Sequence, residues 1–274
     1  MLSATLLPST RRLAMALAVI GLPAIAADAP KADEELIRRL EASAAFDQAV
    51  DRAIERRIRR DAEQRQKAAA DQQAKRAALA ANARAPDPQR DRIHGAAKAP
   101  YSIIVYSDLE CPYCKRFAGV AEKAAAALGD KVNVVWRHYP LDFHGKVAVQ
   151  EAVTAECVAR QAGDKGFFKF VDAVLAGTQT NGKGLPGGDA ALTALAKEAG
   201  AGNATALKAC TEDAAVAALV QQDMQDGIKA GVEGTPGLIL RDNLTNRAQL
   251  VGGALPQEQM ERALHAFVGA GKGS

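Results

Sequence analysis

Aromatic residues are scarce in this chain, at 4% of 274 residues with one tryptophan. So few ring faces argue against a protein that stacks single-stranded nucleic acid. A basic surplus is missing too. Lys and Arg number 35 against 32 Asp and Glu, a formal charge of +3, with no nucleic-acid footprint concentrated on one face. Four cysteines are too few for a disulfide-dense mini-protein. Beyond residue 26 no apolar run approaches the roughly 20 residues that span a bilayer. Glycine is absent from residues 27–84, and proline is absent between Pro30 and Pro86. What is abundant is apolar mass, 48% of residues, which is enough for a core and excludes wholesale disorder.

The N-terminus carries a compartment signal. Arg11 and Arg12 precede an apolar stretch from Leu13 to Ile25, and Ala24-Ile25-Ala26 offers small residues where a signal peptidase reads. Residues 1–26 are expected to be a signal peptide cleaved after Ala26. Removing the two arginines leaves a formal charge near +1. Export places the rest of the chain where disulfides persist.

Residues 27–84 are rich in Ala, Glu, Arg, Lys and Gln and are expected to be a helical arm. Leu36, Leu40, Phe46, Val50, Ile54 and Ile58 fall in one broad stripe at helical spacing. Such a stripe must be buried, either on the chain's own domain or against a second copy through residues 31–58. Pro86, Pro88, Gly95 and Pro100 mark a linker over 85–100. The domain proper is expected over 101–274. Ile103-Ile104-Val105 reads as a central strand, Pro112 to Leu128 as a helix, and Val132 to His138 as a second strand. That is a parallel strand–helix–strand unit, an α/β arrangement. Helical segments then run over about 145–231, and Leu238 to Leu240 with Gln249 to Val251 reads as a hairpin before a closing helix.

Chemistry concentrates at Cys111-Pro112-Tyr113-Cys114, after a strand and opening a helix. The nucleophile in thiol–disulfide exchange is a thiolate. Unpaired N–H groups at a helix start favour that anion. Cys111, at the exposed end, is the expected attacking thiol, and Cys114, one turn in, the buried resolving thiol. Pro112 stiffens the turn and Tyr113 tunes redox poise. A zinc site would need a second ligand pair at metal spacing, and the four histidines are scattered. Haem attachment would need a histidine where Lys115 stands. No metal or cofactor is expected. Basic residues Lys115, Arg137 and His138 are expected mostly in solvent. A second element, Gly234-Thr235-Pro236, stands immediately before the resumed strand.

These residues, with Trp136-Arg137-His138-Tyr139-Pro140-Leu141, make residues 101–268 resemble the DsbA-like branch of thioredoxin-fold oxidoreductases. The resemblance implies a thioredoxin fold with an inserted helical domain, here preceded by a helical extension. It implies a cis-proline at Pro236 facing the cysteine pair, with Thr235 beside it pairing with an incoming peptide. With the export signal it points to a periplasmic protein acting on cysteine-containing exported client proteins, and turnover implies an inner-membrane redox partner. The arm is similar to that of the suppressor-of-copper-sensitivity C group, which oligomerises. Two departures stand out. Members that act as strong oxidants often carry His inside the motif and an acid six residues before it, where this chain has Tyr113 and Val105; Asp108 and Glu110 are nearer acids. The Pro-Tyr dipeptide and Thr235 lean toward an isomerase or reductase. A monomeric dithiol oxidase, and a chaperone without redox turnover, stay open. Cys157 and Cys210 are either two buried thiols or, as the family's second bridges imply, a structural disulfide.

Overall fold

The structure is a computed structural model that describes residues 29–271. The signal-peptide segment lies outside the described residues. The chain divides into two units, residues 1–66 and 67–274.

In the first unit, helix α1 (Ala29–Glu41) and the start of α2 (Ala44–Ala80) meet at a turn where Ser43 N–H donates to the Leu40 carbonyl. Leu36, Leu40, Phe46, Val50, Ile54 and Ile58 are all exposed. Glu35 pairs with Arg38 and Arg39, and Arg57 with Asp61. Solvated pairs of this kind contribute at most about 1 kcal/mol.

The second unit is built on a five-stranded sheet in the order β1-β3-β2-β4-β5. Its strands are β1 (Arg92–His94), β2 (Tyr101–Ser107), β3 (Val132–His138), β4 (Gly237–Asp242) and β5 (Ala248–Val251). β2 and β3 run parallel, with Ile103 opposite Val134 and Ile104 opposite Val135. β4 lies antiparallel on the other side of β2, and β5 completes the expected hairpin. Both faces of β2 are covered, which is why its β-branched run is apolar on alternate and intervening positions alike. Ile103 and Val105 pack with Phe117, Ala121, Met260, Leu264 and Phe267 of the flanking helices α3 (Pro112–Phe117), α4 (Val120–Ala126) and α9 (Gln257–Ala270). Ile104 and Tyr106 face the opposite way, onto Ala80, Ala83, Val232 and Ile239. The helix expected from Pro112 to Leu128 is broken, because Gly119 takes φ +75° between α3 and α4, a conformation open to glycine at little cost.

The inserted helices are α5 (Gly145–Gly177), α6 (Gly188–Glu198), α7 (Ala204–Thr211) and α8 (Ala214–Lys229). α5 is two helices joined at Gly163, whose φ of 65° and ψ of −170° no helix contains. Asn203 and Asp213 cap α7 and α8 by accepting from Ala206 and Ala215 N–H groups. Phe167, Phe170, Val174 and Val220 fill the core of this insertion.

The expected boundary between arm and domain needs correction. Residues 92–94, read as linker, pair with β3 as an edge strand. Ala80 and Ala83, read as arm, are buried in the core of the second unit. Arg137, read as a solvated charge, is fully buried. Its guanidinium donates to Asp91 at 3.1 Å, to Asp226 at 2.6 Å and to the Arg84 carbonyl at 2.8 Å. Burial alone would raise the Asp91 pKa; the Arg137 and Arg84 guanidiniums beside it reverse that and hold it low. Residues 80–91 are thus part of the folded domain, tied in by charge pairing that their polar composition conceals.

Candidate active site

Ser107 ends β2, and the chain turns through Asp108, Leu109 and Glu110 onto Cys111, the N-cap of α3. Two buried carboxylates, Asp108 and Glu110, fix this turn, and Lys115 adds a third tie. Asp108 accepts from its own turn at Glu110 N–H (2.8 Å), and from Leu141 N–H (2.8 Å) beyond β3. Its second oxygen also lies 2.7 Å from His144 Nδ1. Glu110 accepts from the Thr178 hydroxyl and from Gly184 N–H, both in the loop between α5 and α6. Lys115 donates to the Thr178 carbonyl at 2.7 Å. The insertion therefore grips the cysteine turn from two directions. Sequence spacing gave no sign of these partners, which lie 33 to 74 residues away.

Cys111 and Cys114 are free thiols. Cys111 is only 2% exposed, against the expectation of an exposed sulfur; its thiol faces the Thr235 carbonyl at 3.4 Å. The Thr235–Pro236 peptide is cis. A segment 124 residues away thus lies directly over the motif. Tyr113 is the exposed member of the turn, with Arg116 stacked 4.6 Å from its ring centroid.

The two sulfurs differ sharply. The Cys114 thiol donates to the Cys111 sulfur and is the largest influence holding the Cys111 pKa down at about 6; burial opposes this, while Thr235 and the Cys114 and Tyr113 N–H groups assist. Burial pushes Cys114 well above its ordinary value, and the neighbouring Cys111 charge adds to it. One sulfur is an anion at neutral pH and the other a thiol, as a nucleophile and a proton-bearing partner require. Neither Arg137 nor His138 is among the influences on Cys111: Arg137 is in the buried network, and His138 Nε2 lies 3.2 Å from Glu156.

Cys157 of α5 and Cys210 of α7 form a disulfide with sulfurs 2.08 Å apart. Among the described residues, no group of three or more His, Cys, Asp or Glu is placed to hold a metal ion.

A family model described as Thioredoxin matches residues 87–266. The chain belongs to the thioredoxin family. Within that family it is DsbA-like. The crystal structure of Pseudomonas aeruginosa DsbA2 matches with 31% identity and a TM-score of 0.55, over 65% of this chain and 94% of that one. A linker-deletion variant of Proteus mirabilis ScsC shares the fold at 20% identity and a TM-score of 0.57, over 83% of this chain and 97% of that one. A segment of 75 residues is 39% identical to the Na(+)/H(+) antiporter NhaA 1 of Mycolicibacterium gilvum, covering 27% of this chain. This DsbA-like chain spans about an eighth of the length of the curated relatives it matches, 12% in that case.

Proposed function

We propose that this protein is an exported thiol–disulfide oxidoreductase that exchanges disulfides with cysteine-containing client proteins in the periplasm. The Cys111 thiolate attacks a client disulfide. One client sulfur is displaced as thiolate, and a Cys111–client disulfide forms. Cys114, once deprotonated, attacks Cys111; the Cys111–Cys114 bond forms and the second client thiolate leaves. The client has gained two electrons and the enzyme has lost two. The reverse sequence oxidises a client dithiol. Sulfur carries both electrons, so no metal or organic cofactor enters the exchange. Continued turnover requires a redox partner, which we place in the inner membrane. Pro112 and Tyr113 set the turn, and Thr235 and Pro236 receive the client backbone as an added strand. The observation that carries this reading is the split between the two sulfurs, one held near a pKa of 6 and the other raised.

The direction we favour is isomerase or reductase, with the first unit as an oligomerisation arm. An unpartnered stripe of six large apolar residues supports a second copy as the occupant, and two active sites on one assembly suit a client whose wrong disulfide must be opened and re-formed. Insulin reduction and rescue of scrambled ribonuclease test this together. The wild-type chain is expected to do both. Leu40→Glu with Ile54→Glu is expected to keep reduction within twofold and to lose ribonuclease rescue along with oligomer mass in light scattering. Rescue that survives in a monomer defeats the arm's assigned role.

A further inference from the structure

A client chain seated at Thr235 extends beyond it, and one neighbouring surface offers more than backbone contacts. Tyr139, just after β3, ties that strand to both halves of the active site. Its N–H donates to the Ser107 carbonyl at 2.8 Å, and its hydroxyl donates to the Val232 carbonyl at 3.1 Å. Two residues on, the Leu141 N–H donates to the Asp108 carboxylate at 2.8 Å, and the Asp108 carbonyl accepts the Cys111 N–H at 3.1 Å. Leu141 is thus two hydrogen bonds from the nucleophile's own backbone. It is also one wall of an open groove of about 500 Å³ between the Pro140–Gly145 turn, α5 and α8.

The groove is apolar and uncovered. Leu141, Val149, Val153, Ala217 and Met224 line it. Val149 and Ala217 border the core of the insertion, and Leu141 and Met224 border the core beneath the sheet. It is therefore a seam where two separately filled cores meet. Phe143, between the lining residues Asp142 and Gly145, is 77% exposed. Open apolar surface of this extent marks a contact site, and the volume is that of a ligand pocket. Two exposed acids join the groove to the cis-proline loop: Asp142 is on the groove wall, and Glu233 is two residues before Thr235. Burial raises the Tyr139 pKa, and the charges of Asp142 and Glu233 raise it further, which places both carboxylates around that hydroxyl. Lys146, also on the groove wall, is the cation there.

We propose that this groove is a client subsite: an extended client strand leaving Thr235 lays a Lys or Arg against Asp142 and Glu233 and sets a large apolar side chain between α5 and α8. The proposal rests on the exchange activity argued above and adds a client preference to it. Continuity selects a client chain as the occupant, because the groove wall is hydrogen-bonded to the same turn that carries Cys111. Charge selects the client's chemistry, because two acids stand along the route against one lysine. Strand geometry sets the spacing. An extended chain advances about 3.3 Å per residue with alternate side chains on one face. A basic side chain about two residues from the client cysteine and an apolar one about four residues away share the face that the cysteine presents.

The test uses the reduced full-length chain and the disulfide-linked dimer of the peptide Leu-Gly-Lys-Gly-Cys-Gly-Lys-Gly-Leu, symmetric so that either strand direction is served. Each reaction breaks one peptide–peptide disulfide, frees two peptide thiols and forms the Cys111–Cys114 bond; released thiol gives the second-order rate. Replacing both Leu by Ser is expected to slow it about tenfold. Replacing both Lys by Glu is expected to slow it about threefold at low salt, a difference that high salt should abolish. Ala217→Phe fills the groove and should bring the Leu-to-Ser ratio near one. Asp142→Lys with Glu233→Lys, both at exposed positions, should reverse the preference for Lys over Glu, and this keeps the test decisive if Ala217→Phe does not fold. A Leu-to-Ser ratio of one in the wild-type chain, or a low-salt Lys-to-Glu ratio of one, overturns the proposal. If Ala217→Phe changes oligomer mass in light scattering and leaves the peptide ratio as it was, the groove belongs to a second copy and the proposal also falls. Failure of the wild-type chain to reduce any of the three peptides would instead defeat the exchange activity itself.

Discussion

Cys111 and Cys114 stand three residues apart at the start of a helix, whereas Cys157 and Cys210 stand 53 residues apart on two different helices. The first pair is reduced and the second bonded. Burial does not separate Cys111 and Cys114 from Cys157, since each is at most 2% exposed. What separates them is the supply of uncommitted donors. Around Cys111, the N–H groups of Tyr113 and Cys114 have no carbonyl a turn back to bind, and they point at the sulfur. Cys157 is inside α5, where each N–H is committed to the carbonyl four residues earlier. A thiolate there would have no partner, so that sulfur is useful as a cross-link and not as a nucleophile.

The largest effect should come from crossing the two functions. Cys111→Ser is expected to reduce insulin turnover to the uncatalysed background with little change in thermal unfolding. Cys157→Ala with Cys210→Ala is expected to do the reverse, keeping turnover at 25 °C within twofold. Loss of turnover in the double variant would show that the bridge, too, is part of the exchange.

Stability should register the bridge next. Closing a loop of 53 residues limits the unfolded chain, and chain-entropy reasoning puts the stabilisation at about 4 kcal/mol. Urea unfolding of the double variant, compared with the wild type at equal slope, measures it. A change under about 1 kcal/mol would mean that the packing of α5 on α7 alone holds the insertion.

The same contrast explains what could be read from sequence. The cysteine turn was legible because its determinants are local: two residues of spacing, a strand before and a helix after. Pro236 was legible for its place before a resumed strand. β1 was not, because three residues with one apolar side chain, Ile93, give no period to detect. The burial of Ala80 and Ala83 was lost in an Ala-rich stretch where small residues recur without pattern. Arg137 was misread because its partners Asp91 and Asp226 are 46 and 89 residues away. The determinants missed by sequence reasoning are those that need the tertiary fold to bring them together.

The smallest effect is the one most often used to diagnose a reactive cysteine. A pKa near 6 in place of an ordinary 9.0 makes the Cys111 thiolate roughly 90% of the population at pH 7, against roughly 1% for a free thiol. Intrinsic nucleophilicity falls with pKa, with a Brønsted slope of about 0.4–0.5, so three units cost about 15- to 30-fold. The net advantage in alkylation is only about three- to sixfold, and the enclosing Thr235 carbonyl reduces it further. Speed at pH 7 is therefore a weak test, and the position of the pH profile is the strong one. Iodoacetamide labelling of Cys111 should rise with a midpoint near pH 6 in the folded protein. It should return toward pH 9 in urea. The stability linkage has the matching sign. A thiol whose folded pKa is lowered contributes stability that is fully present above the unfolded value and is lost as pH falls through the folded one. Raised Cys114 opposes this at alkaline pH. The reduced protein should therefore lose the Cys111 contribution between about pH 9 and pH 6, while the oxidised protein, with no thiol to titrate, lacks that component. Identical unfolding profiles for the two redox forms across that window would mean that Cys111 is an ordinary thiol, and the contrast with Cys157 would rest on position alone.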